Sequence, residues 1–315
     1  MKPIYTTLDH GITVVDTGML REGMAACYIL QQGNSAAIIE TGTNNTVPIL
    51  LAVLAELNIP RENVRYVIPT HVHLDHAGGV GGLMQALPNA TAIIHPHGAF
   101  HLANPERLKA GAIAVYGEEE FSRTYGDIIP VDEARIIEPE DDAHFTLEDR
   151  TLEILFTPGH ANHHFCVYDK SSQSIFSGDT FGVSYKELRG AKGTLVFPTT
   201  TPVQFDPEAL KQSIHRLHEL KATSIFLTHF GELREPHRYT QQMLDQVDLY
   251  AEIAMRNKDC DEPEKMIEKE LTEYTLNRAK EIETQLSETE LLKLLKLDMS
   301  LNSQGLAIWL KRKNR

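Results

Sequence analysis

Residues 71–76 read His-Val-His-Leu-Asp-His and have more potential for chemistry than any other stretch of this chain. Imidazole and carboxylate groups are ligands that Zn²⁺, Fe²⁺ and Mn²⁺ accept, and burying such a cluster is costly unless a cation holds it together. In an extended segment His71 and His73 point to the same side, whereas Asp75 and His76 fall at a turn and can point elsewhere. The segment therefore indicates metal binding, and its geometry favours two ions over one.

Three later segments repeat one arrangement, in which a short apolar run typical of a strand ends at a residue able to bind a metal. The residues that end these runs are His160, Asp179 and His229. Strands that each deliver a polar residue to the same edge of a sheet build one site there. We therefore expect these three residues to complete the centre that 71–76 begins.

The elements that would position these residues alternate between strands and helices. We predict strands at 12–15, 27–30, 36–39, 65–69, 91–95, 136–137, 152–156, 165–168, 174–177 and 224–227, and helices at 46–57, 78–87, 105–125 and 207–220. Residues 182–206 are predicted to form a loop, with Asp206 as the N-cap of the helix that follows. From residue 236 the chain is charged, amphipathic and nearly free of Gly and Pro, which predicts several helices. The predicted domains are 1–235 and 236–315.

The composition of the chain indicates which partners and which cellular compartment to expect. The 315 residues carry a formal net charge of −14, which repels phosphate backbones and argues against nucleic-acid binding. No apolar stretch approaches the roughly 18–20 residues that cross a bilayer. The N-terminus lacks the apolar region of a secretory signal, and the three cysteines form no CxxC pair. We expect a cytoplasmic protein with a small-molecule substrate, no membrane partner, and C-terminal helices that either form a homodimer or close the monomer core.

Four motifs together resemble those of the metallo-β-lactamase superfamily, in its motif order, over about residues 10–235. They are His71-x-His73-x-Asp75-His76, Thr157-Pro158-Gly159-His160, Ser177-Gly178-Asp179-Thr180 and Thr228-His229. The resemblance implies an α/β fold (α+β), the αββα four-layer metallo-β-lactamase sandwich with two mixed sheets between helices. Here that sandwich would carry a C-terminal helical extension.

The resemblance also implies a ligand set. His71, His73 and His160 would bind the first metal, Asp75, His76 and His229 the second, and Asp179 would bridge both. The cofactors would be two divalent metal ions, most fittingly Zn, although the same nitrogen and oxygen ligands accept Fe or Mn. One departure is informative, because Ile39-Glu40-Thr41-Gly42 stands where relatives usually have Ile-Asp-Thr-Gly. We expect Glu40 to keep the acidic role of supporting a ligand, with a longer reach.

The function that follows is that of a metal-dependent hydrolase, in which a bridging hydroxide attacks an ester, lactone or thioester-like carbonyl. Asp75 would orient the hydroxide or carry its proton, besides binding metal. Tyr185 is a second catalytic candidate, because a Tyr in this region donates to the carbonyl oxygen in lactonase-like relatives. The spacing from Asp179 is longer here, so packing within the loop is the alternative for Tyr185.

The competing function is a di-iron oxygen-binding or redox protein on the same scaffold. Flavodiiron relatives typically carry Glu where this chain has His73, and they need a flavin module that this chain has no room for after residue 236. A mononuclear-iron dioxygenase is less compatible, because Asp75 and His76 can complete a second site. Among the remaining histidines, we expect His164 to support the centre from outside the ligand set, and His95 to lie at the surface.

Overall fold

The computed structural model describes residues 2–200 and 203–313, which form two compact units that interleave along the chain. The first unit comprises Met1–Phe156, His163–Gly178 and Thr228–Gly231. The second comprises Thr157–Asn162, Asp179–Leu227 and Glu232–Arg315. The division into domains at residue 235 stays a prediction.

The first unit contains a seven-stranded sheet whose strands lie in chain order, antiparallel from β1 to β4 and parallel from β4 to β7. Its strands are β1 (Tyr5–Thr7), β2 (Ile12–Asp16), β3 (Ala26–Gln32), β4 (Ser35–Ile39), β5 (Val64–Ile68), β6 (Thr91–Ile93) and β7 (Ile136–Ile137). Every residue of β2 and β4 is buried. Because Ile39 pairs with Ile68 in the parallel register, the chain leaves β4 and β5 at the same edge of the sheet.

Four further strands of this unit pair antiparallel in sequence order. They are β8 (His144–Leu147), β9 (Arg150–Phe156), β10 (Phe165–Asp169) and β11 (Ser174–Gly178). They pack on the first sheet, where the rings of Tyr28 and Phe176 meet edge to face with centroids 5.1 Å apart. Such aromatic pairs stabilise a fold by more than the burial of their apolar area alone.

Six helices flank these strands. They are α1 (Val47–Glu56), α2 (Leu74–Ala77), α3 (Val80–Ala86), α4 (Pro96–Ala103), α5 (Glu106–Tyr116) and α6 (Glu118–Tyr125). The apolar faces of α1 and α3 join the buried core beside the first sheet, with Leu50, Val53 and Leu83 among its members. Short turns connect these strands to these helices at the edge of the sheet. The candidate metal-binding residues that follow β5 lie on such a turn.

The second unit is mainly helical. It contains β12 (Arg189–Gly190), β13 (Gly193–Thr194), α7 (Pro207–Glu219), β14 (Ser224–Leu227), most of β15 (Gly231–Arg234), α8 (His237–Asn257), α9 (Pro263–Glu281) and α10 (Glu288–Lys313). Asp206 caps α7, because its carboxylate accepts from the backbone N–H groups of Glu208 and Ala209. Among residues 2–200 and 203–313, no helix is both long enough and apolar enough to cross a membrane.

The predicted fold class is confirmed, with mixed sheets, flanking helices and a C-terminal helical region, and the Asp206 cap is confirmed as well. Several elements differ from those expected. The helix predicted at 105–125 breaks at Gly117, whose φ of +81° favours glycine. Strand β8 was missed, because its pattern is short and half exposed. The loop at 182–206 contains the small hairpin β12–β13, and its residues 201 and 202 lie outside the described part of the chain.

His95 is also corrected, since it is buried rather than at the surface. It precedes α4, where its Nδ1 accepts from the backbone N–H of His97, and its ring packs 4.2 Å from that of Phe156. Burial lowers the pKa of His95 to about 4, helped by the charge of His97. A neutral imidazole is therefore part of the folded structure near neutral pH.

A buried ion pair joins β9 to β10, and its arginine also contacts the chain just before β2. Arg150 donates from Nε and Nη2 to the Asp169 carboxylate, and from Nη1 to the His10 carbonyl. Both side chains of the pair are fully buried. Such a pair adds little net stability over an apolar replacement, yet removing one partner leaves a buried charge without compensation.

We therefore expect Asp169→Asn to lower the free energy of unfolding by about 3–5 kcal/mol, measured by urea denaturation. The double variant Arg150→Met/Asp169→Leu should recover part of this loss, because it buries no charge. Asp127→Asn is the control, since it breaks the exposed pair with Lys109 and should cost at most about 1 kcal/mol. Equal losses in the two single variants would contradict this account.

His95 should make stability depend on pH. The pKa of His95 is lower in the folded than in the unfolded chain. Between about pH 6.5 and pH 4 the imidazole is therefore protonated in the unfolded chain but neutral in the folded chain, and stability falls as the pH is lowered through this range. The wild type should lose about 2 kcal/mol between pH 7 and pH 5 through this group alone. His95→Asn keeps an acceptor for the His97 N–H. Its free energy of unfolding, measured with urea, should fall between pH 7 and pH 5 by about 2 kcal/mol less than that of the wild type. An equal fall in the two proteins would contradict the lowered pKa of His95.

Candidate metal centre

The first unit brings Asp75, His76 and His229 together at the edge where β4 and β5 end. One ligand atom of each lies within 4.8 Å of the others. The Nε2 atom of His76 is 3.6 Å from Asp75 Oδ2, and the Nε2 atom of His229 is 3.4 Å from the same oxygen. Two residues from one turn and one from far along the chain thus converge on a single small volume.

The turn that carries Asp75 and His76 is fixed by its backbone. After β5 the chain enters α2, and the His76 carbonyl accepts from both the N–H and the hydroxyl of Thr41. The Gly79 N–H donates to the Gly42 carbonyl. A Cβ on Gly79 would lie 2.7 Å from the Thr41 carbonyl oxygen, so this position soon after α2 has to be glycine.

Glu40 is the hub of this arrangement. Its Oε1 accepts from His76 Nδ1 at 2.8 Å, from the Thr70 hydroxyl at 2.7 Å and from the Thr228 hydroxyl at 2.8 Å. Its Oε2 accepts from the Thr70 N–H at 3.0 Å. The carboxylate is only 1% exposed, and four donors offset the cost of burying its charge. Glu40 therefore holds the predicted ligand His76, as expected.

The backbone of Glu40 is unusual, with a φ of +61° that non-glycine residues rarely adopt. Residues in this region cost about 1–3 kcal/mol and persist where surrounding contacts fix them. Here the backbone N–H of Glu40 donates to the Ile68 carbonyl, and its side chain is held by four donors. The strained conformation therefore aims a long acidic side chain back across the strand ends.

His71 and His73 lie beside this hub. Thr70 has one hydroxyl proton and donates it to Glu40, so its oxygen must accept from His71 Nδ1, 3.1 Å away. The Nε2 atom of His71 then carries no proton when the ring is neutral, and it lies 2.6 Å from His73 Nδ1. Glu40 thus fixes the tautomers of two histidines, His76 directly and His71 through Thr70.

Thr70 can lie against the end of β11 because residue 178 is a glycine. Gly178, the last residue of β11, has a φ of +49°, and a Cβ there would lie 2.4 Å from Thr70 Oγ1 and 2.5 Å from His164 Nε2. His164 is fully buried, with its ring centroid 4.8 Å from that of His71. It packs against a predicted ligand, as expected.

His229 is positioned by the residues just before β3, at the same edge of the sheet, because β3 runs antiparallel to β4. Its Nδ1 donates to the Met24 carbonyl at 2.8 Å, just before β3, and the Ala26 N–H donates to the Thr228 carbonyl at 2.8 Å. A carbonyl can only accept, so the proton of the neutral ring sits on Nδ1, and Nε2 is the unprotonated nitrogen that faces Asp75.

The second unit holds the other two predicted ligands, His160 and Asp179. The Nε2 atom of His160 lies 3.3 Å from Asp179 Oδ2, and its Nδ1 donates to the Thr199 carbonyl at 3.2 Å. The turn before His160 packs on α7, because a Cβ on Gly159 would lie 2.3 Å from the backbone of Leu210. Both side chains are buried, His160 completely.

The donor sets of both units fit a divalent cation. Ligand atoms about 2.0–2.2 Å from a tetrahedral ion stand about 3.3–3.6 Å from one another, which matches the nitrogen-to-oxygen distances at His76, His229 and His160. In each of these three residues Nδ1 donates to an oxygen acceptor, which fixes the ring and leaves Nε2 as the donor atom for a metal. The seven ligand assignments, and the joining of the two sets into one dinuclear centre, stay predictions.

The electrostatics keep Asp75 ionised. Burial raises the pKa of its carboxyl group, but the interactions with the imidazoles of His76, His229 and His73 outweigh burial and hold the pKa far below its usual range. Asp75 is therefore a carboxylate throughout the physiological range, as a metal ligand must be.

Tyr185 is buried, and its hydroxyl donates to Asp298 Oδ1 of α10 at 2.8 Å. This contact accounts for a packing role in the second unit, and the catalytic assignment of Tyr185 stays a prediction. The residues that sequence reasoning missed are the partners of the ligands, namely Thr70, Thr228 and the carbonyls of Met24 and Thr199. One signal was present, because a threonine directly precedes both His71 and His229.

Comparison with known proteins gives one family. A sequence model described as the Metallo-beta-lactamase superfamily matches residues 20–229. A metallo-beta-lactamase fold-containing protein of Sulfurisphaera tokodaii is 26% identical over 238 residues, which cover 73% of this chain and 82% of that protein. An atrochrysone carboxyl ACP thioesterase of Aspergillus fumigatus is 25% identical over 220 residues, covering 69% of this chain but only 54% of the thioesterase.

Solved structures agree. An archaeal metallo-beta-lactamase superfamily protein from Sulfolobus tokodaii is similar with a TM-score of 0.62 at 25% identity, covering 76% of this chain and 86% of that one. A metallo-beta-lactamase family protein from Thermus thermophilus has a TM-score of 0.61 at 19% identity, and the match covers 99% of this chain and 93% of that one. The second likeness shows the fold alone, and it extends over the C-terminal helices.

Glu40→Gln should lower the affinity for Zn²⁺ about 10–100-fold, because glutamine keeps the shape but replaces one accepting oxygen with an NH₂ group. In one orientation this group would face the Thr70 N–H, and in the other it would face the three donors at Oε1. Competition with a chromophoric chelator measures the affinity.

Glu148→Gln is the matched control, because Glu148 accepts from Ser35 at the opposite end of β4. Its Zn²⁺ affinity should equal that of the wild type. If Glu40→Gln binds Zn²⁺ as tightly as this control, Glu40 does not support the ligands.

Proposed function

Because the chain belongs to the metallo-β-lactamase superfamily, we propose that it is a hydrolase that binds two divalent metal ions, most fittingly zinc. The observation that carries this proposal is the arrangement of the imidazoles of His76, His229 and His160. Each holds Nδ1 against an oxygen acceptor and presents Nε2 to a carboxylate oxygen 3.3–3.6 Å away. Structural histidines have no need of this shared polarity, whereas metal ligands do.

The proposed ligand sets are those that the family resemblance implies. His71, His73 and His160 would serve one ion, and Asp75, His76 and His229 the other, with Asp179 bridging. Two such cations would supply an activated water near neutral pH and polarise a substrate carbonyl. Asp75 would orient the attacking water or carry its proton, besides binding metal.

The proposed substrates carry an ester, lactone or thioester carbonyl. The thioesterase of Aspergillus fumigatus is named for a reaction of this class, which places acyl thioesters first in any trial. The match spans about half of that protein, so its own substrate is not carried over.

Metal content and hydrolysis test the proposal together. We expect about two zinc ions per chain after incubation with Zn²⁺ and removal of the excess, and turnover of at least one member of a panel of acyl thioesters, lactones and β-lactams. His71→Ala should lower kcat/KM about 10³-fold, corresponding to several kcal/mol of lost transition-state stabilisation. His237→Ala, an exposed histidine at the start of α8, is the matched control and should be unchanged.

Two outcomes would overturn the proposal. Protein that carries two zinc ions but hydrolyses nothing in the panel is not a hydrolase of this class. Protein purified without added metal that contains iron, with a visible absorption band that changes on exposure to oxygen, would instead be the di-iron oxygen-binding or redox protein that shares this scaffold.

A further inference from the structure

The carbonyl of Thr199 orients a predicted metal ligand, yet it lies outside every helix and strand that the structure describes. Residues 198–200 have no regular structure, and the pairing beside them is the bridge between Val183 and Phe197. The direction of the Thr199 carbonyl decides where the His160 ring turns, because His160 Nδ1 donates to it at 3.2 Å. Something outside this segment has to fix that peptide group.

Asn302, in the middle of α10, holds the peptide groups on both sides of Thr199. Its Nδ2 donates to the Pro198 carbonyl at 3.1 Å, and its Oδ1 accepts from the Thr200 N–H at 2.6 Å. The Thr200 hydroxyl donates to the Asn302 backbone carbonyl at 2.9 Å. Asn302 is 1% exposed and Thr200 is fully buried, so water does not compete for these contacts.

An asparagine is an uncommon choice inside a helix, because its side chain competes for backbone groups and lowers helix propensity. A buried amide is also costly unless both of its ends are satisfied. Here both ends are satisfied, and by the two residues that flank Thr199. One turn earlier on the same face of α10, Asp298 accepts from Tyr185 near the start of the same loop.

We propose that Asn302 is a positioning residue for the metal ligand His160, acting through the Thr199 carbonyl. The inference rests on the proposed function, because it requires His160 to bind metal. The alternative is that Asn302 only docks α10 onto the loop. A second buried amide distinguishes the two, since Gln246 of α8 donates to the Val196 carbonyl at 2.9 Å and is equally buried, but does not flank Thr199.

The test compares Asn302→Leu with Gln246→Met, two shape-conserving changes that remove one buried amide each. Zn²⁺ titration against a chromophoric chelator gives the affinity of each site, and far-UV circular dichroism with urea unfolding shows that the variants fold. We expect Asn302→Leu to bind the ion that depends on His160 about 10–100-fold more weakly, and Gln246→Met to match the wild type within about threefold.

A double-variant cycle shows whether the effect passes through His160. His160→Ala should abolish one of the two sites, and adding Asn302→Leu to it should change the remaining site by less than about twofold. If Asn302→Leu also weakens the remaining site, or if Gln246→Met has the same effect as Asn302→Leu, the positioning role is wrong.

Two further results keep the inference separate from the proposed function. A wild type that binds no Zn²⁺ overturns the proposed metal centre itself, and the inference with it. A wild type that binds two ions, beside an Asn302→Leu variant that binds them equally well, overturns only the inference. If Asn302→Leu does not fold, Asn302→Asp replaces it in the test. This variant keeps the oxygen that accepts from Thr200, but it places a second oxygen against the Pro198 carbonyl and so loses that hydrogen bond. Wild-type affinity in that variant contradicts the role of Asn302.

Discussion

A single buried carboxylate organises the first unit. Glu40 accepts from four donors contributed by the turn after β5, by α2 and by the residue after β14. Without that charge, the hydroxyls of Thr70 and Thr228 and the Nδ1 atom of His76 would be buried beside one another with no common acceptor. The apolar core packs the sheets, but this ionic hub decides how the strand ends face each other.

The second unit solves the same problem with neutral groups. There the imidazole of His160 donates to a backbone carbonyl, and the amide of Asn302 holds the neighbouring peptide groups. A carbonyl raises the basicity of the ring less than a carboxylate does, so His160 is a weaker donor for a metal than His76. A carboxylate tolerates several donors at one oxygen, whereas an amide has fixed donor and acceptor ends, and the second arrangement is therefore the more sensitive to geometry.

Sequence alone finds the residues that cluster at the candidate site more readily than it finds the groups that hold them in place. A ligand follows its own strand within a few residues, so the apolar run before His71, or before His229, announces it locally. The N-cap at Asp206 is local in the same way. The contact between Asn302 and Thr200 joins residues 102 positions apart through an amide that looks like any other polar residue of an amphipathic helix. The burial of His95 likewise depends on a strand, β9, that lies far along the chain.

The contacts of Glu40 join distant parts of the chain, and this separation determines when they can form during folding. Glu40 and Thr228 are 188 residues apart, and loop closure over such a distance has to be offset by contacts that already exist. A nascent chain that has not yet emerged beyond residue 228 can form β1 to β11, but it leaves Glu40 one donor short and His229 absent. The cluster of Asp75, His76 and His229 is therefore completed late in synthesis, after strands β1 to β11 have emerged.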